Sequence, residues 1–106
     1  MSRIIDELKA KMPENAFHFA DFPEVVFFDD FADHLEELEG AEIIQFETDG
    51  TIEMWLEFTF KNQRFFVNTR FGDYWLFVQN PQADEAILLE VAEHFRQLLE
   101  TGDDFA

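Results

Sequence analysis

Four runs rich in aromatic and β-branched residues, roughly 42–47, 51–60, 64–70 and 74–79, follow one another with only short turn signals between them, at Asp49-Gly50, Asn62-Gln63 and Gly72-Asp73. Connections this short cannot carry a crossover, so the strands must pair antiparallel as a meander. Behind the last strand, Ile87, Leu88, Val91, Ala92, Phe95, Leu98 and Leu99 recur at helical spacing from about Asn80-Pro81 to Gly102, which predicts a long amphipathic helix. Ahead of the strands, residues 2–12 place Ile4, Ile5, Leu8 and Met12 at the same spacing behind Ser2, and Pro13 forbids continuation. A second short helix is expected over 31–39, capped by Asp30, stopped by Gly40, with Phe31, Leu35 and Leu38 inward. The stretch Phe17 to Phe28, broken by Pro23, reads either as an edge strand over Glu24–Phe28 or as a buried loop. The expected fold is thus α+β in one domain over residues 1–106. A four-stranded antiparallel β-meander carries the long C-terminal helix on one face, and one or two short N-terminal helices lie on an edge or the other face.

Turn chemistry separates the faces of that sheet. A two-residue loop at Asn62-Gln63 pairs Lys61 with Arg64 and therefore Trp55 with Arg70. A three-residue loop would turn Arg64 and Arg70 into the face of Leu56 and Phe58 and bury two cations, a cost that selects the first register. Gly72-Asp73 as a two-residue turn likewise pairs Arg70 with Trp75, and a three-residue loop at Thr48-Asp49-Gly50 keeps Ile44 and Phe46 on the Leu56 side. One face then gathers Ile44, Phe46, Ile52, Met54, Leu56, Phe58, Phe60, Phe65, Val67, Phe71, Tyr74, Leu76 and Val78 as a core. The other carries Ile43, Glu57, Arg64 and Asn68 together with Trp55, Phe66, Arg70, Trp75 and Phe77. On it Arg70 is expected between Trp55 and Trp75, a cation–π arrangement worth about 0.5–1 kcal/mol where exposed. Either this aromatic face is covered by the N-terminal segments or it meets a partner.

Charge narrows the function classes. The 49 residues from Met12 to Phe60 hold 14 carboxylates and no Lys or Arg, and the whole chain has a net charge of -17. A field of that sign repels phosphate, which argues against direct binding to nucleic acid or to an anionic membrane and favours a basic protein partner. With 47% hydrophobic residues, 15 of them Phe, the chain is nonetheless far from the composition of a disordered acidic tail. There is no cysteine, which removes disulfides, thiolate nucleophiles and thiolate-bound metals. No signal peptide and no apolar run long enough to span a membrane is visible, so a cytoplasmic location is the expectation.

Constellations able to carry chemistry are sparse. Glu90 and His94 stand four apart on the last helix, and Asp29, Asp30, Asp33 and His34 cluster on the second. Two ligands do not make a metal site, and the cluster lacks the glycine turn and spacing of a calcium loop. Both are read as solvated helix faces, so no catalytic residue, no metal and no cofactor is assigned. His18, between Phe17 and Phe19, has no evident acid–base partner, and no phosphate loop or nucleophile elbow is present.

The resulting expectation is a non-catalytic acidic module that occludes a basic partner surface, as nuclease-toxin immunity proteins and nucleic-acid-mimicking inhibitors do. Its contact residues would be Asp29, Asp30, Asp33, Glu36, Glu37 and Glu39. The alternative is a small homodimeric interaction or chaperone-like domain using Trp55, Phe66, Arg70, Trp75 and Phe77. A metal-assisted enzyme around Glu90 and His94 is a third and weaker reading.

Overall fold

The computed structural model describes residues 3–48, 53–70 and 72–99. Its elements are α1 (Arg3–Lys11), β1 (Phe17–Pro23), α2 (Phe28–Glu36), β2 (Glu42–Thr48), β3 (Met54–Phe60), β4 (Gln63–Arg70), β5 (Asp73–Val78) and α3 (Glu85–Leu99). The strands form one antiparallel sheet in the order β1-β5-β4-β3-β2. The meander is therefore present, but the sheet has five strands instead of four, because Phe17–Pro23 adds to its β5 edge. The Ser2 cap, the Asp49-Gly50 turn, Ile52, Phe71 and the Gly102 stop lie outside the described residues.

The two faces separate as their parity demands. Phe58, Phe65, Leu56, Val67, Tyr74, Leu76 and Val78 pack with Phe31 and Leu35 of α2 and with Leu88, Val91 and Phe95 of α3 in the main core. Phe31 stacks on Phe95 with ring centroids 4.3 Å apart, and Phe58 on Phe65 at 4.9 Å. Both α2 and α3 thus cover the same face, whereas α1 takes the opposite one and buries Ile5 against Trp55, Phe66 and Phe77. Only α1 follows the expectation that the N-terminal helices lie away from the C-terminal one.

The register differs from the sequence reading by two residues at both described hairpins, a shift that leaves every side chain on its expected face. Phe60 pairs with Gln63, so the turn is Lys61-Asn62, and both residues have positive φ, 50° and 66°, as a tight hairpin turn requires. The expected pairing would set Lys61 directly opposite Arg64. The observed one sets Thr59 there and brings Arg64 diagonal to Glu57. At the next hairpin Arg70 faces Asp73, not Trp75, with Gly72 at φ 82° in the turn. Opposite charges across the strands favour both shifts.

Each edge strand carries a bulge. In β2 the register slips between Ile43 and Gln45, so that Ile43 turns to the core and Ile44 turns out, 52% exposed. This reverses the expected assignment of the two isoleucines. In β1 the slip falls between His18 and Ala20. Bulges interrupt the free backbone donors and acceptors of an edge and discourage further strand addition.

The helices also begin differently. The α3 helix starts at Glu85, with the Asp84 carboxylate accepting the Ala86 N–H at 3.0 Å, while Asn80 instead caps a preceding turn through the Gln82 N–H. The α2 helix starts three residues before expectation and ends at Glu36, followed by a turn closed by Gly40 at φ 91°. Burial of Phe28 on the main core draws this first turn forward and places Asp30 inside it. Among the described residues no helix is long and apolar enough to cross a membrane.

Candidate functional site

The sequence of α2 dictates a two-sided helix. Phe28, Phe31, Ala32 and Leu35 are buried, and Asp29, Asp30, Asp33, Glu36 and Glu37 are exposed, as is Glu39 in the following turn. All six acidic positions named from sequence thus share one short segment and one solvent-facing surface. Asp29 and Asp30 lie in the first turn, where the helix dipole favours negative charge. Asp33, Glu36 and Glu37 have no such compensation at the other end.

What holds this helix in place, besides its apolar side, is a reciprocal histidine clasp. His34 Nε2–H donates to the carbonyl of His94 at 2.6 Å, and His94 Nε2–H donates to the carbonyl of His34 at 2.5 Å. Since a carbonyl can only accept, both rings carry their proton on Nε2. The rings stack with centroids 4.0 Å apart and planes 16° apart. Burial pushes the His94 pKa below the usual histidine value and the neighbouring His34 adds to that, against the bond to the His34 carbonyl and the Glu37 carboxylate. Glu90 turns elsewhere and meets Lys61 at 2.7 Å. The Glu90–His94 pair therefore does not converge, and among the described residues no group of three or more metal-ligating side chains comes together.

The aromatic face is largely closed by α1. Trp55 is 2% exposed, and Phe66 and Phe77 are buried beside it. This is the covered alternative of the sequence reading, and it corrects the reading of Trp55, Phe66 and Phe77 as an open contact surface. Arg70 lies over Trp75 at 5.4 Å and over Phe77 at 5.2 Å, and its Nε donates to Asn68 Oδ1 at 2.8 Å. Asn68, not Arg70, faces both tryptophans across the strands. Trp75 is half-buried, with His18 stacked on it at 4.3 Å. His18 Nε2 lies 3.2 Å from Asp21 Oδ2 on its own strand, within ion-pair distance but without a hydrogen bond. Beneath α1 the 5% exposed Glu57 is neutralised by an ion pair with Arg64.

The β1–α2 connection was not legible as a site. Val26 packs on the main core, and its carbonyl accepts the Tyr74 hydroxyl at 2.7 Å. The Glu24 N–H donates to Gly72 O and the Val25 N–H to Pro23 O, both at 3.0 Å. The chain bends at Val26, which faces the core, and Val25 and Phe27 on either side of it are exposed. The signal was present as the apolar run Val25 to Phe28, but its length does not say which members are buried. Burial raises the pKa of Glu24, helped by Asp73, and raises that of Tyr74, helped by Glu24 and Asp30. Of the two, the Tyr74 hydroxyl holds the loop. In comparisons with known proteins, no family model, no curated protein and no solved structure matches the chain.

Proposed function

We propose that this protein is a non-catalytic acidic binding module that occludes a basic surface of a protein partner, using the exposed side of α2 with Asp29, Asp30, Asp33 and Glu36 and the turn after it with Glu37 and Glu39. The observation that carries the reading is the outward presentation of six carboxylates on one segment, inside a stretch of 49 residues without Lys or Arg. Steps of three or four residues along a helix rise about 4.5–6 Å, comparable with the spacing of charges along a phosphate backbone. A cationic surface built for phosphates would therefore meet carboxylates at similar intervals.

The physical mechanism is electrostatic steering followed by occlusion. A net charge of -17 raises the encounter rate with a cation-rich surface, and the effect fades as salt shortens the Debye length. Preorganisation matters equally, because a helix clamped by Phe31, Leu35 and the His34–His94 clasp loses little further entropy on docking. Self-association through the aromatic sheet face has less in its favour, since Trp55, Phe66 and Phe77 already have an intramolecular cover.

The test is the triple variant Asp33→Lys, Glu36→Lys, Glu37→Lys. Its far-ultraviolet circular dichroism should match the wild type, because all three positions are exposed. Its association with a basic ligand should slow by at least tenfold at low salt, the usual effect of reversing charges at an interface rim. Unchanged association would remove the proposal.

A further inference from the structure

Resting on the acidic-binder reading, we propose that Phe27, flanked by Val25, is the apolar anchor of the same docking surface, so that the partner presents an apolar pocket rimmed by cations. Phe27 is 82% exposed, the most exposed large apolar side chain described, with Val25 at 57% beside it. It also occupies the N-cap position of α2 and makes no side-chain capping bond. That position favours Ser, Thr, Asp or Asn, which satisfy a free backbone N–H of the first turn. Phe27 therefore departs from two local rules at once, and departures of this kind collect where function overrides folding.

The geometry denies Phe27 any intramolecular refuge. Its neighbours Val26 and Phe28 both pack on the main core, and the loop is pinned by the Tyr74 hydroxyl and by the Glu24 N–H bond to Gly72. The backbone that carries the aromatic ring is thus pinned with the side chain turned to solvent, which lowers the ordering cost of using it as an interface anchor. Charge selects the occupant. Asp29 and Asp30 follow Phe27 after the buried Phe28, and Asp33 and Glu36 continue the same helix, all four exposed. A second copy of this chain would bring its own excess of carboxylates to that spot, whereas a basic partner gains from it.

The experiment titrates the full chain at low salt by fluorescence anisotropy. Two short peptides of equal positive charge serve as probes, one with leucines between its arginines and one with serines. The wild type should prefer the leucine peptide by about tenfold, the usual worth of one aromatic anchor. Phe27→Ser should abolish that preference and leave serine-peptide binding unchanged. The same substitution supplies the missing cap and should raise the melting temperature by roughly 4 °C. The triple α2 variant should weaken both peptides alike and keep the preference. A preference that survives Phe27→Ser, or a melting temperature that falls, overturns the anchor and leaves the acidic reading standing. Binding of both peptides unaffected by the triple variant, or no binding of either, overturns the acidic reading and the anchor with it.

Discussion

Acidification should loosen α2 from α3, and the size of the effect follows from the histidine clasp. His94 donates its Nε2–H to the His34 carbonyl, so that bond survives protonation, but the charge is then partly stripped of water by burial and is repelled by the His34 ring stacked 4.0 Å away. Coulomb repulsion at that distance is about 1 kcal/mol in a water-like medium and about 4 kcal/mol at an effective dielectric of 20. Both rings are partly exposed and the carboxylate of Glu37 lies close by, which favours the lower end, about 1–2 kcal/mol. Elsewhere on α3, Glu90 is engaged by Lys61 and Glu93 by Arg96. The pKa of His94 lies below the ordinary histidine value, so below about pH 6.5 this residue binds more protons in the unfolded chain than in the folded one. The clasp's contribution is complete above that pH and is lost as the pH falls toward the depressed folded value. Urea denaturation of the wild type and of His94→Gln, which keeps a donor but cannot titrate, isolates the effect from all other ionising groups. Between about pH 7.5 and 5 the wild type should lose about 1–2 kcal/mol more than the variant. Parallel stability curves would refute the reasoning.

Other expectations concern the supports of the surface. Arg64→Ala leaves the buried Glu57 carboxylate without its cation and should cost about 1–3 kcal/mol in urea denaturation, more than Glu57→Gln, which removes the charge itself. Ile5→Ala opens the contact between α1 and the sheet and should cost about 2–4 kcal/mol, with a red shift of tryptophan emission as water reaches Trp55. Tyr74→Phe removes the bond to the Val26 carbonyl and should cost about 1 kcal/mol, with faster amide exchange at Glu24 to Phe27 than elsewhere.

The sheet faces, α1 and α3 were legible because each rests on a strong period and on the cost of burying Arg64 and Arg70. Parity survives a register error of two, so the core face of β3 to β5 was right even though the turn is Lys61-Asn62 instead of Asn62-Gln63. A bulge breaks parity, and nothing in the run Ile43-Ile44-Gln45 marks where the extra residue falls, so those two isoleucines were reversed. The fifth strand was hidden by Pro23, which sits at the very end of β1, where a missing N–H is tolerated. The acidic side of α2 could be read residue by residue, since Phe31 and Leu35 fix its orientation. The clasp could not, because His34 and His94 are 60 positions apart and meet only when α2 and α3 share a face. For the same reason the exposure of Phe27 had to await the fold: it depends on Val26 being drawn inward by Tyr74 of a distant strand.

Affinity capture from a lysate of the host, run in parallel with the wild type and with the Asp33→Lys, Glu36→Lys, Glu37→Lys variant and eluted by a salt gradient, tests the central claim most directly. The account predicts a basic protein retained by the wild type, released at moderate salt because screening weakens exposed charge contacts, and missing from the variant. Retention of the same protein by both, or release that ignores salt, would contradict it.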